Sequence, residues 1–426
     1  MNPELASLLQ LATKQASHAE VYQVTSQSQP VFFEGNRLKQ LESSQSVGTA
    51  LRLWCDNRPG LAVAYGKIDP ELLVEKAVAL AKLNESEEVE LATSQTISKD
   101  LGGATASVKE LIKLGKEGID RLREQFPELI CSAELESETE TTTLINSQGL
   151  SCHYQESALS YYFGAELVRG EDFLGIYDGD YRKDKLDINL TIEQIIKRLD
   201  WAEKNVNPPT GTVPVLLTAN AATLLWSTVS AALNGKRIKE QSSPWSDRLY
   251  KSVIANNISL TQQPNLQPYD CPFDDEGMLT QKLSLIDKGR IERFYCDRTI
   301  ARELNIKPTG NGFRPGLDSY PSPSLVNLIV DPGKSTFEEL VTQLDNGIIV
   351  DQLLGGGADI SGDFSVNIDL GYRVEKGRIT GRVKDTAIAG NVYEILKQEV
   401  ILGNDSIWSG SCFTPSLIAN SISVTG

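Results

Sequence analysis

The sequence predicts an α+β protein, with an N-terminal domain of antiparallel strands and helices followed by a mainly-β, barrel-like C-terminal domain. Three observations lead to this class. Runs of alternating apolar and polar residues, typical of strands, are separated by turn sequences. Helical stretches are concentrated before residue 207, and the chain beyond it is rich in glycine and short strands. At 426 residues, the chain is long enough for two or three domains of about 100–200 residues each.

The first predicted helix extends from Pro3 to Ala16, where leucines recur at helical spacing. Strand-like sequence follows it. The segments EGNR at 34–37 and DNRPG at 56–60 supply turn residues between the alternating runs. We therefore expect antiparallel strands joined by hairpins in this part of the chain.

Two further helices have recognisable boundaries. The first begins after Asp69, with Pro70 in its first turn, a position that proline favours. The second covers 107–125 and stops before Pro127, because the residue before a proline disfavours helical geometry. The acidic, glycine-containing stretch 84–105 between them is predicted to be a long exposed loop.

Three strand-like runs come after the second helix. In the first run, Cys131, Ala133 and Leu135 alternate with polar residues, which implies one wet face. In the third run, the segment DGD at 178–180 is interpreted as a hairpin turn. A helix is then predicted over 191–205.

The best interior boundary is the segment NPPTG at 207–211, because two prolines and a glycine stop a helix and favour an extended connection. We therefore divide the chain into an α+β domain, residues 1–206, and a mainly-β domain, residues 207–426. The second domain opens with a short apolar strand and a helix. A later short helix is predicted to start at a capping box formed by Ser335 and Glu338.

Composition narrows the classes of function. The chain has 41 basic and 57 acidic side chains and a formal charge of −16, so it would repel a phosphate backbone. No run of 18 apolar residues predicts a membrane helix, and the first residues lack a secretory pattern. Six cysteines without a C-x-x-C pair are interpreted as reduced thiols. We expect a cytoplasmic protein that binds neither nucleic acid nor membrane.

Histidine chemistry is sparse. The two histidines, His18 and His153, lie far apart in sequence, and no G-x-S-x-G elbow accompanies either of them. The common zinc spacings H-E-x-x-H and H-x-H are absent. Both histidines are therefore interpreted as structural.

Three consecutive acids, Asp274, Asp275 and Glu276, stand between Pro272 and Gly277. Such a cluster has the chemistry to bind a cation or the amino end of a peptide. In a protein that is already acidic, a solvated turn is the simpler interpretation, and the residue pattern alone favours it.

Two glycine clusters stand out in the second half. One contains Gly310 and Asn311 in PTGNGFRPG, and the other is LGGGAD, with Gly355–Gly357 and Asp359. Glycine permits positive φ and close approach of another backbone. Neither cluster matches a P-loop or a dinucleotide fingerprint. A plain loop and a contact site for a ligand's backbone both remain open.

In their order along the chain, these segments resemble the TldD/TldE (PmbA) family, long labelled modulators of DNA gyrase. The resemblance covers nearly the whole chain, from the early strands through PFDDEG, KPTGNG, LLGGGAD and SGDFS to PSLIANSISVTG. The catalytic member of the family is similar to a zinc peptidase: a helix carries His-Glu and, after three residues, a second His. The imidazoles hold the metal and the carboxylate activates its water.

Trp226, Ser227 and Ala231 stand at the matching positions of this chain. Indole has no lone pair free for a metal, a hydroxyl is a poor base near neutral pH, and alanine has no donor atom. The third ligand of the family is a cysteine, and Cys412 lies further downstream than that ligand would. The resemblance therefore implies no catalytic residue and no zinc in this chain, with zinc held by a partner.

The resemblance further implies a TldE/PmbA-type subunit that pairs with a zinc-bearing TldD-type chain to degrade extended or unfolded peptides. A sheet edge would bind such peptides through main-chain hydrogen bonds, and a glycine-rich strand such as Gly355–Gly357 would let two backbones meet closely. The candidate residues for contacting peptide in the chamber are Asp274, Asp275, Glu276, Gly310, Asn311, Gly355, Gly356, Gly357 and Asp359.

Two alternatives stay open at this point. One is a stand-alone homodimer that binds peptides or a partner and has no peptidase activity. The other is an independent hydrolase that uses the three consecutive acids with an adventitious metal. The absence of a second acidic cluster clearly paired with the first argues against that hydrolase, because hard-cation sites draw ligands from several elements.

Overall fold

The computed structural model describes residues 2–426. The first half contains the helices α1 (Pro3–Ala12), α2 (Pro70–Ala81), α3 (Val108–Gln125) and α4 (Asn189–Trp201). Its strands are β1 (His18–Ser28), β2 (Val31–Glu34), β3 (Arg37–Leu41), β4 (Ser44–Cys55), β5 (Arg58–Tyr65), β6 (Thr96–Asp100), β7 (Ile130–Asn146), β8 (Ser151–Arg169), β9 (Asp172–Arg182) and β10 (Asn205–Val206).

Strands β1–β9 form one sheet built around the long strands β7 and β8. The order is β3-β2-β7-β1-β4-β5, while β8 pairs with β7 and β9 and, in parallel, with β6. On one face, Cys131, Ala133 and Leu135 of β7 are buried together with side chains of α3 and α4. The predicted alternation of β7 is thereby confirmed. Its glutamates occupy the opposite face.

Local signals placed the early elements correctly. The predicted hairpin turns lie between β2 and β3 and between β4 and β5. The Asp69 carboxylate accepts the Leu72 N–H at 3.0 Å and caps α2, with Pro70 as its first residue. Ser107 and Glu110 form a reciprocal capping box at the start of α3.

Two predictions about the first half were wrong because tertiary pairing overrode the local pattern. The stretch 84–105 is not entirely loop, since β6 lies within it and pairs with β8. The segment 178–180 is not a turn but part of β9, where Gly179 stands opposite Tyr162. A Cβ at Gly179 would lie 2.3 Å from the Tyr161 carbonyl oxygen, so the glycine serves a close strand contact. The hairpin turn instead uses Gly170, with φ of 65°.

Three helices also differ in their boundaries from the predictions. Helix α1 ends at Ala12 rather than Ala16, and α4 spans Asn189–Trp201 rather than 191–205, since Asn205 begins β10. In the second half, the predicted capping box at Ser335 and Glu338 is shifted by one residue. The hydrogen bonds join Thr336 and Glu339, because the Glu339 N–H reaches the Thr336 hydroxyl at 3.2 Å.

The second half contains the helices α5 (Ala219–Leu233), α6 (Gly235–Lys239), α7 (Arg298–Glu303), α8 (Phe337–Leu344) and α9 (Val392–Lys397). Its strands are β11 (Gly211–Leu217), β12 (Leu260–Gln262), β13 (Leu283–Asp287), β14 (Arg290–Ile291), β15 (Gly312–Phe313), β16 (Ser322–Pro323), β17 (Leu328–Val330), β18 (Gly347–Leu354), β19 (Asp363–Glu375), β20 (Arg378–Val383), β21 (Ala387–Asn391), β22 (Ile401–Leu402), β23 (Ile407–Ser409), β24 (Cys412–Thr414) and β25 (Leu417–Thr425).

A closed barrel organises the second half. Strand β11 pairs with β18, β18 with β19, β19 with β21, β21 with β25, and β25 returns to β11. The α+β class with a barrel-like C-terminal part is thereby confirmed. Strands β12, β13, β14, β17, β23 and β24 form a second sheet. Helix α5 shares one hydrophobic cluster with the barrel and this second sheet.

The two halves share a hydrophobic core across the predicted boundary at residue 207. Leu216, Ile349 and Ile418 of the barrel belong to the same buried cluster as residues of α3 and α4. The helices are therefore packed between the N-terminal sheet and the barrel. Division into independent domains at this point stays a prediction.

Two findings concern membrane-spanning helices and the state of the cysteines. Within residues 2–426, no helix has the length and apolar character needed to cross a bilayer. All six cysteines are free thiols, of which Cys131, Cys152 and Cys296 are buried.

Candidate functional site

Helix α5 carries the three positions that the family resemblance singled out. It follows directly from β11, and the Thr218 hydroxyl caps its first turn by accepting the Ala221 N–H. Trp226 is fully buried, and its indole Nε1 donates to the Thr414 hydroxyl on β24 at 2.7 Å. The single polar group of the indole is therefore committed to a neighbouring strand.

The other two positions on α5, Ser227 and Ala231, also lack a side chain placed to bind a metal ion. Ser227 is exposed, and its hydroxyl donates to the Leu224 carbonyl oxygen of its own helix at 3.2 Å. Ala231 has no donor atom. Cys412 lies on β24 beside this region, but burial raises the pKa of its thiol to about 12, which disfavours the thiolate that a metal needs. These residues do not fit a zinc ion.

Elsewhere in residues 2–426, metal-binding side chains are not grouped into a site. Among residues 2–426, no group of three or more His, Cys, Asp or Glu side chains is placed to hold a metal ion. Nδ1 of His18 lies 3.2 Å from the Ser17 hydroxyl, and Nδ1 of His153 lies 3.1 Å from the Thr143 hydroxyl. These contacts support the structural interpretation of both histidines.

The segment Asp274–Glu276, which we call the acid turn, is not the solvated turn that the sequence favoured. Asp274 is fully buried, and its two carboxylate oxygens accept backbone N–H groups of Glu276, Met278 and Gly312 at 2.9–3.1 Å. Glu276 is 7% exposed and accepts the Arg298 N–H at 2.9 Å. Segments that follow in the chain cover the acid turn, so its carboxylates bind the protein's own backbone instead of solvent.

Asp275 joins the acid turn to the N-terminal sheet. It accepts the Arg314 N–H at 2.7 Å, and the Arg314 guanidinium lies 5.2 Å from the ring centroid of Tyr22 on β1. The same guanidinium contacts Glu20 at 2.8 Å, and Glu20 also contacts Arg52 at 3.1 Å. Nearly all of this network is buried, so it fixes the second half against β1 and β4.

Burial strongly perturbs the ionisation of the acid turn. Desolvation raises the pKa of Asp274 to about 7, against the opposing effect of its backbone hydrogen bonds. Desolvation and the neighbouring charge of Asp274 raise the pKa of Glu276 to about 8. Perturbed acids cluster at functional sites, but they also occur in structural networks such as this one.

The first glycine cluster is likewise internal. Gly310 has φ of +71°, and a Cβ there would lie 2.3 Å from the Leu279 carbonyl oxygen. Asn311 is fully buried and donates through Nδ2 to Gln262 at 2.8 Å and to the Ser324 carbonyl oxygen at 2.7 Å. The glycine is required by contact with the chain's own backbone.

The second glycine cluster is exposed, and the prediction that it is a strand was wrong. Strand β18 ends at Leu354, because Gly355 and Gly356 have φ of +62° and +76°, outside the extended region. The following loop is closed at its base by Ser361, which donates to Asp359 and Asp363. Gly355, Gly356 and Gly357 therefore form a projecting loop at one end of the barrel.

A cavity of about 320 Å³ lies where β8 and β9 meet segments of the second half. We call it the aromatic cavity. Its lining includes the rings of Tyr154, Tyr181, Tyr269 and Phe313 and the acids Glu156 and Asp270. The sequence did not single out these residues, because three distant segments bring them together. Two features of the sequence could have indicated this cavity. They are the alternating glutamates of β7 and the tyrosines of the next strand, β8.

The charges around the aromatic cavity are predominantly negative. Lys183 is buried between Glu156 and Asp270, 2.5 Å from each. Glu140 on β7 stands directly opposite Glu156 on β8. Desolvation, followed by repulsion from Glu156, Glu138 and Asp275, raises the pKa of Glu140 to about 7. One ammonium group therefore faces several carboxyl groups.

Comparison with known proteins identifies the family. Residues 210–426, more than half of the chain, match the PmbA/TldA metallopeptidase C-terminal domain, and residues 19–81 match PmbA/TldA metallopeptidase domain 1. The chain belongs to the PmbA/TldD family. The resemblance read from the sequence is confirmed.

Relatives of this PmbA/TldD family chain include both named subunit types. A metalloprotease TldD homologue from Buchnera aphidicola is 31% identical over 201 residues, which cover 46% of this chain and 42% of that protein. A metalloprotease PmbA homologue from Haemophilus influenzae is 24% identical over 449 residues, covering 98% of this chain and 94% of the relative.

Solved structures agree with the fold of this family chain. TldE from Thermococcus kodakarensis superimposes with a TM-score of 0.91 at 25% identity, covering 99% of this chain and 100% of TldE. A protein from Thermotoga maritima described as a putative modulator of a DNA gyrase superimposes with a TM-score of 0.87 at 22% identity, with 99% coverage of each chain. The second likeness concerns the fold alone.

Proposed function

We propose that this chain is the metal-free, TldE/PmbA-type subunit of a TldD/TldE-type peptidase assembly in the cytoplasm. It shapes the chamber that receives extended or unfolded peptides, and a zinc-bearing TldD-type partner cuts them. The observation that carries the proposal is the environment of Trp226. Within a TldE-like frame, a buried indole bound to Thr414 stands where the sequence resemblance implies a metal ligand in the catalytic relatives.

The chemistry of α5 explains why this chain would not cut peptides by itself. Zinc-dependent hydrolysis needs ligands that hold the ion and a base that activates its water. Trp226, Ser227 and Ala231 supply neither. This chain accordingly has no catalytic residue of its own and holds no metal, and the zinc belongs to the partner.

The contacts divide the candidate peptide-binding residues into two groups. The side chains of Asp274, Asp275, Glu276 and Asn311 are committed to internal hydrogen bonds, and Gly310 lies against Leu279. We assign these residues to the frame of the chamber. The exposed loop with Gly355–Gly357 and Asp359 stays our prediction for direct contact with peptide.

The proposal is tested by purifying this chain, a TldD-type chain with an intact His-Glu…His helix, and the two together. We expect the pair to cleave an unfolded peptide and a chelator to abolish the activity. This chain alone should be inactive, and elemental analysis should find no stoichiometric zinc in it. Cleavage by this chain alone, or a transition metal seated beside α5, would overturn the proposal.

The same experiment distinguishes the alternative of a binding protein without peptidase activity. If the two chains fail to associate, while this chain alone forms a homodimer and still binds the peptide, the stand-alone binding protein is favoured. Size-exclusion chromatography with light scattering gives the association state in both cases.

A further inference from the structure

The aromatic cavity is the right size for one side chain. Its volume of about 320 Å³ is at the lower end of the range of about 300–1,000 Å³ that ligand pockets span. It is therefore too small for a folded partner or a length of peptide. A single long side chain or a small organic molecule would fill it.

Aromatic rings line much of the cavity. The rings of Tyr181 and Tyr269 are stacked, with centroids 5.5 Å apart and planes inclined by 24°. Tyr154 forms the wall on β8, where its ring meets Phe273 edge to face at 5.3 Å. Aromatic faces attract an ammonium or guanidinium group through the negative charge of the π-system, by about 0.5–2 kcal/mol.

The charge balance of the cavity also favours a cation. Lys183 offers one positive charge to Glu156 and Asp270, so this trio keeps one net negative charge when all three are ionised. Glu140 and Glu138 lie on the adjoining strand, and Glu140 is directly opposite Glu156. Burial first, and then repulsion from Glu156, Glu138 and Asp275, raise the pKa of Glu140, and a nearby cation would relieve that repulsion. An anionic ligand would be repelled by every one of these acids.

Aromatic rings continue from the cavity to β24. Tyr269 lies 4.9 Å from Trp408, and Trp408 lies 5.2 Å from Phe413 on β24. The next residue of β24, whose side chain points to the opposite face of the strand, is Thr414, the acceptor of the Trp226 indole. The cavity and α5 are therefore connected through the same strand.

We propose that the aromatic cavity is a subsite for the lysine or arginine side chain of an extended peptide. This inference rests on the proposed function and narrows its substrate class to peptides with basic residues. The tyrosine rings would hold the aliphatic stem, while the lining acids Glu156 and Asp270, with Glu140 opposite Glu156 on β7, would attract the cationic head.

The test compares two synthetic peptides of one sequence, the first with lysine and the second with acetyl-lysine, which keeps the stem and removes the charge. Fluorescence anisotropy measures their binding to the purified full chain. We expect the lysine peptide to bind at least tenfold more tightly. Glu140→Gln and Tyr269→Leu should reduce this ratio to within twofold, whereas Tyr269→Phe, which keeps the aromatic face, should retain it.

A control must separate the cavity from the general attraction of a chain with charge −16 for cations. Glu134→Gln removes the same charge from the same face of β7, but Glu134 is exposed and stands opposite Tyr162, whereas Glu140 stands opposite the cavity-lining Glu156. It should leave the tenfold ratio in place. If Glu134→Gln and Glu140→Gln lower the binding ratio of the two peptides equally, the subsite is overturned. The preference for lysine would then come from the overall negative charge of the chain.

The remaining outcomes separate this inference from the proposed function. Equal binding of both peptides to the wild-type chain would overturn the cationic subsite and leave peptide capture intact. Binding of neither peptide would overturn both. Circular dichroism of each variant confirms that a lost ratio does not come from a lost fold.

Discussion

Trp226 and Thr414 lie 188 residues apart in the chain, and one hydrogen bond of 2.7 Å joins the indole of α5 to the hydroxyl of β24. The Thr414 hydroxyl in turn lies 3.1 Å from the Pro415 carbonyl oxygen. Both residues are fully buried. The helix that would hold a metal in a catalytic relative is therefore fixed to the second sheet by a direct bond between protein groups.

This bond is measurable by a double-mutant cycle. Trp226→Phe and Thr414→Val should each destabilise the chain by about 1–3 kcal/mol, because each leaves a buried polar partner unsatisfied. The double variant should lose less than the sum, with a coupling energy of about 1 kcal/mol. Chemical denaturation gives these free energies of unfolding. Ser227→Ala, on the exposed face of the same helix, is the control and should stay within about 0.5 kcal/mol. Strict additivity would contradict the bond.

Arg314 is predicted to be the most sensitive residue between the two halves. Arg314→Met should cost about 3–5 kcal/mol, because the buried Glu20 then keeps only Arg52 as a counter-charge and the buried Asp275 loses the nearby guanidinium. Lys39→Met removes one partner of an exposed ion pair with Glu34 and should cost about 0–1 kcal/mol. Denaturant titration compares the two. Similar losses would show that the buried network contributes no more than a surface pair.

Local chemistry explains which elements the sequence predicted well. Asp69 with Pro70, and Ser107 with Glu110, act within one helical turn, so neighbouring residues suffice to place α2 and α3. The alternation of β7 reports directly which face is buried. That Trp226, Ser227 and Ala231 stand at metal-motif positions stays a prediction from the resemblance, while the structure shows the Trp226 indole and the Ser227 hydroxyl bonded to Thr414 and Leu224.

Long-range packing explains the failures. Three adjacent acids indicated a solvated turn because acidic side chains are usually exposed. Here the backbone N–H groups of Gly312, Arg298 and Arg314 bind these acids. The sequence of residues 272–277 gives no indication of those distant partners. The aromatic cavity was missed for the same reason, because Tyr154, Tyr181 and Tyr269 meet only after the halves have packed together.

The two glycine clusters are predicted to differ in their tolerance of alanine. Gly310 and Gly355 both have positive φ, so alanine strains either position by about 1–2 kcal/mol. At Gly355 nothing lies within 4 Å of the new Cβ, so that cost is the whole effect. At Gly310 the Cβ would lie 2.3 Å from the Leu279 carbonyl oxygen, so Gly310→Ala should be clearly more destabilising. Thermal unfolding of both variants checks the order, and equal melting temperatures would contradict the close contact at Gly310.

The acid turn is predicted to make the chain less stable as the pH rises. Burial raises the pKa of Asp274 and Glu276 to about 7 and about 8 in the folded chain, above the ordinary values near 4 that they regain on unfolding. Between about pH 4 and pH 8 the folded state therefore binds more protons than the unfolded state, and the free energy of unfolding falls with rising pH. The stabilisation is complete below pH 4 and is lost through pH 8.

Glu276→Gln isolates this effect because the amide oxygen can still accept the Arg298 N–H while the side chain no longer titrates. Denaturant midpoints measured from pH 5 to pH 8 should fall less steeply for the variant than for the wild-type chain. The difference should develop across the whole range from pH 5 to pH 8 and level off above pH 8. Glu134→Gln, an exposed acid on β7, should leave the slope unchanged. Parallel profiles for wild type and Glu276→Gln would mean that Glu276 is ionised in the folded chain throughout this range, and its buried position would then require a counter-charge from Arg298 or Arg52.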